Sequence, residues 1–264
     1  KEQFIGEFLL NNKIHIFTAS TAKKAKRVIN TYIYDLQSLT IKKRVLFETI
    51  AEKRKKLFSG GDNRKTNFNT SPNGKYFVVN TYNIKKNVSS YIVKIFDSNT
   101  FEMISQKPYQ TYTDRYFEPN DIYLDNDKTV YIIGKSFIKG KLQKKNKKAI
   151  YGFILNQIKG DKQENIEIKL ENEHIGPLSI YKNEERINLM GFFSEKNTNR
   201  IKGFCNFIID TNKLRLENKV INNLPEKVYT DWYGNMSIYK SNKELRDFVI
   251  DHIITDEKGN TYII

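Results

Sequence analysis

Short apolar–polar runs separated by turn residues dominate the chain. Thr66 to Thr70 leads into Ser71-Pro72-Asn73-Gly74, where Pro presets φ and Gly supplies φ > 0. The next run, Lys75-Tyr76-Phe77-Val78-Val79-Asn80-Thr81-Tyr82, is rich in aromatic and β-branched residues, which favour strands over helices. A polar loop from Asn83 to Ser90 follows, then Tyr91 to Phe96 ending at Asp97, then the turn Ser98-Asn99-Thr100 and the run Phe101 to Ser105. The pattern predicts four strands, here called a, b, c and d.

The same plan recurs along the chain, and repeats of this length indicate a modular architecture. Before it, Phe4 to Leu10 reads as a, Asn11-Asn12 as the turn, Lys13 to Ala19 as b, Val28 to Tyr34 closed by Asp35 as c, and Ile41 to Ile50 as d. From turn to closing Asp the spacing is 23 residues in both copies, Asn12 to Asp35 and Gly74 to Asp97. After it, Asp121 to Leu124, Thr129 to Phe137, Ala149 to Leu155 with Asn156 in place of Asp, and Asn165 to Leu170 make a third copy. A fourth runs through Pro177 to Tyr181, Arg186 to Phe193, Ile201 to Ile209 with Asp210, and Leu214 to Ile221; a fifth starts at Phe248 and stops after its second strand. The third-strand ends at 35, 97, 156 and 210 give periods of 62, 59 and 54 residues.

Four strands per period of this size predict an all-β fold, a β-propeller of four-stranded blades. A β-sandwich is the alternative that short, evenly spaced strands also allow. The blades are placed at 3–50, 66–105, 119–170, 174–221 and, in part, 247–264, with an insertion at 222–246. Short helical turns are expected at 50–58 and over Lys243 to Val249. The chain begins with Lys1 and ends on a half blade, so further blades are expected beyond Ile264 in a longer product. The Ser-Pro-Asn-Gly-Lys-Tyr segment at 71–76 resembles the a–b turn of TolB-like propellers, which implies fold rather than activity.

Charge refines the picture. The 264 residues carry a formal net charge of +15. In a four-strand meander the b–c and d–a connections leave at one edge of the sheet, and the a–b and c–d turns at the other. The first b–c loop holds Lys23, Lys24, Lys26 and Arg27, and the third holds Lys139, Lys141, Lys144, Lys145, Lys147 and Lys148. Across the four b–c loops fifteen basic residues face one acidic residue, Glu195. A basic loop face of this kind steers anionic partners. These loops are rich in Lys and nearly free of aromatics, so they offer point charges without stacking platforms, and sequence-specific nucleic-acid binding is not expected.

Chemistry-bearing motifs are sparse. The sequence has no P-loop, no Gly-x-Gly-x-x-Gly, no His-Glu-x-x-His and no Gly-x-Ser-x-Gly. One Cys, Cys205, in the run Gly203 to Ile209, reads as a small buried hydrophobe. His15 and His252 fall within strands and read as structural; His174 precedes a first strand and could face the top of a central channel. Asp125-Asn126-Asp127 starts like a calcium loop but lacks the Gly and distal Glu, so it reads as a turn. Asp114, Glu118, Asp121, Glu171, Glu173 and Asp247 lie near d–a connections and first-strand starts, where glycosidic chemistry would need a facing pair. Tyr229, Trp232, Tyr233 and Tyr239 cluster in the insertion and mark either an interface or a satellite core.

These features favour a non-catalytic propeller, a docking subunit of an exported or cell-envelope assembly, with a protein partner and neither metal nor cofactor. A carbohydrate-active propeller enzyme and a polyanion-binding module are the alternatives. No apolar run is long enough for a transmembrane helix.

Overall fold

Four antiparallel meanders of four strands each make up the fold, which is all-β and belongs to the β-propeller class of four-stranded blades. The computed structural model describes residues 2–22, 26–50, 66–85, 88–109, 116–137, 144–145, 148–169, 171, 173–195, 200–233, 244–246, 250, 253–255 and 261–263. The first sheet is β1 (Glu2–Leu10), β2 (Lys13–Ala22), β3 (Lys26–Asp35) and β4 (Thr40–Ile50). The second is β5 (Thr66–Thr70), β6 (Tyr76–Lys85), β7 (Val88–Asp97) and β8 (Met103–Tyr109). The third joins β9 (Tyr116–Leu124) and β10 (Val130–Phe137) to β13 (Tyr151–Lys159) and β14 (Lys162–Ile168), with a small hairpin, β11 (Lys144–Lys145) and β12 (Lys148–Ala149), between β10 and β13. The fourth is β15 (His174–Asn183), β16 (Arg186–Ser194), β18 (Gly203–Asp210) and β19 (Arg215–Asn223). Shorter pieces complete the chain: β17 (Arg200–Ile201), α1 (Glu226–Tyr233), β20 (Leu245–Arg246), β21 (Ile253–Thr255) and β22 (Thr261–Ile263).

The chain divides into two compact units. One comprises Lys1–Ser136 and Leu155–Asn165; the other comprises Phe137–Ile154 and Ile166–Ile264.

In the first unit, adjacent blades pack face to face through aromatic rings. Phe17, Phe77, Val79, Phe96 and Phe101 form a buried cluster, with Phe8, Phe47 and Phe68 against it. Their rings lie at ordinary packing distances, 4.7 Å for Phe17–Phe68 and 5.0 Å for Phe77–Phe96. Between the second and third blades the link is polar. Asn67 donates its amide to the Asn120 carbonyl at 3.0 Å, and Asn69 accepts from the Leu124 amide at 3.1 Å. These side chains satisfy backbone groups of β9 that no fifth strand reaches. Facing residues of a ladder share a side, so Phe4, Thr18, Asn30 and Val45 lie on the other face of the first sheet. There Phe4 and Val45 are exposed.

The closing Asp of the repeat has a structural cause. Asp35 Oδ1 accepts the Gln37 and Ser38 amides, Asp97 Oδ1 those of Asn99 and Thr100, and Asp210 Oδ1 those of Asn212 and Lys213. Four residues beyond each Asp the backbone turns left-handed, at Leu39 (φ 54), Phe101 (φ 62) and Leu214 (φ 44). The third blade keeps the left-handed position four residues on but not the strand end. Asn156 does not end a strand: it is buried in the middle of β13, and the turn comes at Gly160, whose φ of 56 suits a residue without Cβ.

The helix also falls elsewhere than the sequence suggests. Within the insertion it spans Glu226–Tyr233, while Leu245–Arg246, expected in a helical turn, pairs as β20 with β17. The expected helical turn at 50–58 begins in β4, and the rest of it lies outside the described residues.

Candidate functional site

The second unit carries a buried polar cluster where the first two strands of the fourth blade begin and end. His174 opens β15 and stands opposite Ser194, the last residue of β16. Glu244, just before β20, reaches both Ser194 and the following residue. Ser194 Oγ donates to Glu244 Oε2 at 3.0 Å, and the Glu195 amide donates to Glu244 Oε1 at 2.9 Å. Exposure is 1% for His174, 0% for Ser194 and 5% for Glu244. The β17–β20 pairing holds Glu244 in place, and Arg200 reaches its carbonyl oxygen at 3.5 Å.

The chemistry of this cluster follows from where the protons sit. A serine hydroxyl has one proton, and here Ser194 gives it to Glu244. In this arrangement the proton goes to the carboxylate rather than to His174, the direction a Ser–His nucleophile would use. Among the described residues Glu244 has no cationic partner; its carboxylate is held by one hydroxyl and one amide. A buried carboxylate held by neutral donors can stabilise a developing positive charge.

The carboxylates singled out in the sequence take other roles. Glu173 pairs with Lys219 at 3.2 Å. Its partial burial raises its pKa, but hydrogen bonds from Lys219 and the Glu171 amide outweigh this and hold it below the ordinary range. Asp121 accepts from the Ile122 amide at 2.8 Å. Glu118 is half-buried on β9, Glu171 is exposed, and Asp114 and Asp247 lie outside the described residues. The Asp125–Asp127 segment is a turn: Asp127 accepts the Thr129 amide at 2.8 Å and pairs with Lys159 at 3.1 Å. Among the described residues no group of three His, Cys, Asp or Glu could hold a metal ion.

Lys23, Lys24, Lys141 and Lys147 lie outside the described residues. Lys26 pairs with Glu48 at 2.6 Å. Arg27 does not sit on a loop; it is 6% exposed within β3. Lys144, Lys145 and Lys148 form the strands of the small hairpin. Tyr229 is turned inward and packs with Ile201 and Leu245, next to Phe192 and Leu224. It belongs to a satellite core, with Trp232 and Tyr233 further along α1. Glu244 escaped sequence reasoning because a lone Glu outside any strand carries no motif. The available signal was its place in the segment that breaks the repeat.

No family model and no curated protein matches the chain. Solved structures do resemble it. An acylaminoacyl peptidase of Pyrococcus horikoshii aligns over 85% of this chain and 33% of its own, with 11% identity and a TM-score of 0.49. An α-L-arabinanase of Penicillium chrysogenum, complexed with arabinobiose, aligns over 83% and 65%, with 8% identity and a TM-score of 0.49. A GH43_1 enzyme of Xanthomonas citri, complexed with xylose, aligns over 82% and 71%, with 7% identity and a TM-score of 0.41. The chain thus spans a third of the peptidase and just under two thirds of the arabinanase. These similar structures are enzymes by name, in contrast to the non-catalytic scaffold expected from the sequence.

Proposed function

We propose that the chain is the propeller part of a carbohydrate-active enzyme, with Glu244 as a working carboxylate. The observation that carries this reading is the state of Glu244: 5% exposed, hydrogen-bonded to Ser194 and Glu195, and without a cation among the described residues. Cleavage of a glycosidic bond passes through an oxocarbenium-like transition state that a carboxylate stabilises. A carboxylate held only by a hydroxyl and an amide is available for that purpose. The proton on Ser194 argues against acyl transfer by this cluster, so the reading departs from peptidase chemistry. The names of the arabinanase and the GH43_1 enzyme agree with the carbohydrate class. The Ser71–Tyr76 turn, closed by the Ser71 amide on the Tyr76 carbonyl at 2.9 Å and by Gly74 at φ 68, supports a TolB-like parentage for the blades.

The test is reducing-end release from a panel of plant and bacterial glycans by the purified protein and by Glu244→Gln. The expected outcome is turnover of at least one glycan, lowered by roughly a hundredfold or more in Glu244→Gln, with unchanged circular dichroism. Turnover that Glu244→Gln leaves intact, or no turnover of any glycan, overturns the reading.

A further inference from the structure

A cleft of about 190 Å³ opens between the second and third blades, wholly within the first unit. Its floor is apolar. Val93 and Ile95 of β7, with Val130 and Ile158 of the third blade, line it, and all four are buried. A bulge builds one wall. Ile95 pairs with Ser105 and Phe96 with Met103, so Ile104 is the extra residue of β8. On a regular strand successive side chains point to opposite faces. At the bulge Ile104 and Ser105 both line the cleft, and Ile104 is 44% exposed.

Turns of the third blade supply the charged rim. Lys107 on β8 pairs with Asp161, and Asp127 pairs with Lys159 at 3.1 Å. These two bridges cancel, and Lys128 is left over. It lines the cleft and lies over the Tyr76 ring at 5.0 Å. Among the described residues it has no carboxylate partner. Its turn is fixed by the Lys128 amide, which donates to the Asp125 carbonyl at 3.0 Å.

Size and charge define the ligand. Liquid water takes about 30 Å³ per molecule, so the cleft has room for about six. Drug-sized ligands need about 300 Å³ or more, so the occupant is smaller, one ring with a short chain. An apolar body suits the floor. One unpaired cation at the rim selects one negative charge, and an ammonium holds a carboxylate through charge-assisted hydrogen bonds.

We propose that this cleft binds a small apolar monocarboxylate, with its body on the floor and its charge at Lys128. The site shares no residue with the Glu244 cluster and stands independently of the carbohydrate reading. The test is isothermal titration calorimetry of the full chain with phenylacetate, neutral phenylacetamide and acetate. It compares wild type with Lys128→Gly, Lys128→Arg and Ser105→Phe, each checked by circular dichroism. Lys128 has a φ of 68, which glycine adopts without strain, so Lys128→Gly removes the cation and keeps the turn. The expected result is saturable phenylacetate binding with a dissociation constant on the order of 1 mM or tighter. Phenylacetamide and acetate bind about fivefold weaker or worse, and Lys128→Gly weakens phenylacetate by about the same factor. Lys128→Arg retains binding, and Ser105→Phe, which fills the cleft from the outer strand, abolishes it. Absence of saturable phenylacetate binding overturns the proposal. So does phenylacetate binding that Lys128→Gly leaves intact, and so does phenylacetamide binding as tight as that of phenylacetate.

Discussion

Tyr91 places its hydroxyl 2.8 Å from the carbonyl oxygen of Phe117, so the third strand of one blade is tied to the first strand of the next. The following pair repeats the arrangement: Tyr151 on β13 donates to the Ile175 carbonyl on β15, also at 2.8 Å. Both tyrosines are buried. Each hydroxyl donates to a carbonyl near the start of the first strand of the next blade. Burial raises the Tyr151 pKa above the ordinary phenol value, which keeps the hydroxyl a donor throughout the working pH range.

Removing either hydroxyl leaves a buried carbonyl without that donor. Tyr91→Phe and Tyr151→Phe should each destabilise by about 1–3 kcal/mol. Urea titration should show a lower midpoint with an unchanged slope. A midpoint equal to wild type in both variants would mean that these bonds do not link the blades.

Glu2 gathers one hydrogen bond from each of the other three strands of its blade: Thr18 and Tyr32 donate to Oε2 at 2.7 Å each, and Lys43 to Oε1 at 2.5 Å. Its slight burial raises its pKa, but the bonds from Lys43, Thr18 and Tyr32 outweigh this and bring it down from 4.5 to about 2. A carboxyl whose folded value is depressed contributes stability above its unfolded value and loses it as pH falls toward the folded one. Wild type should therefore lose stability between pH 4.5 and about 2, and Glu2→Gln should lose less across that window while starting less stable at neutral pH. Chemical denaturation at a series of acidic pH values checks both; parallel wild-type and variant curves would remove Glu2 from the account.

His15 acts in a different window and with a different cause. It is buried against Phe8, at 4.8 Å between ring centroids, and Phe101, at 5.2 Å. Burial, then the charge of Lys13, lowers its pKa below 6.5. The folded state thus favours the neutral ring, and the unfolded state binds the proton first. The stabilisation is present above pH 6.5 and declines as pH falls from there toward the folded value. His15→Leu should flatten the stability profile just below pH 6.5 while leaving the Glu2 window unchanged. A variant profile as steep as wild type in that range would assign the slope to other groups.

Repeat plan and turn chemistry were legible in the sequence because they depend on local residues. The closing Asp35, Asp97 and Asp210 each fix a turn through their own backbone neighbours, and Gly74 marks its turn through a left-handed φ. Asn156 misled because a polar residue near a strand end imitates that Asp, whereas Gly160 supplies the turn four residues later. Glu244 and Ser194 are 50 positions apart and meet only because β20 pairs with β17. No local pattern encodes that contact. Arg27 was placed on the first b–c loop and Tyr229 in the aromatic cluster of the insertion; both are buried, Arg27 within β3 and Tyr229 against Ile201 and Leu245.

Cys205 offers a direct test of how tightly the fourth blade is closed. It lies on β18 opposite Gly191, and its thiol contacts the Gly191 carbonyl oxygen at 3.3 Å. Burial pushes the thiol up to about 12, so almost no thiolate is present near neutral pH, and thiolate is the reactive form. The disulfide reagent DTNB should therefore leave the native protein unlabelled over hours at pH 8 and titrate one thiol in denaturant. Under partial denaturation the labelling rate should follow opening of the fourth blade rather than reagent concentration, once closing is slower than attack. Labelling of the native protein within seconds would show that β18 is accessible and that the fourth sheet opens far more readily than its packing implies.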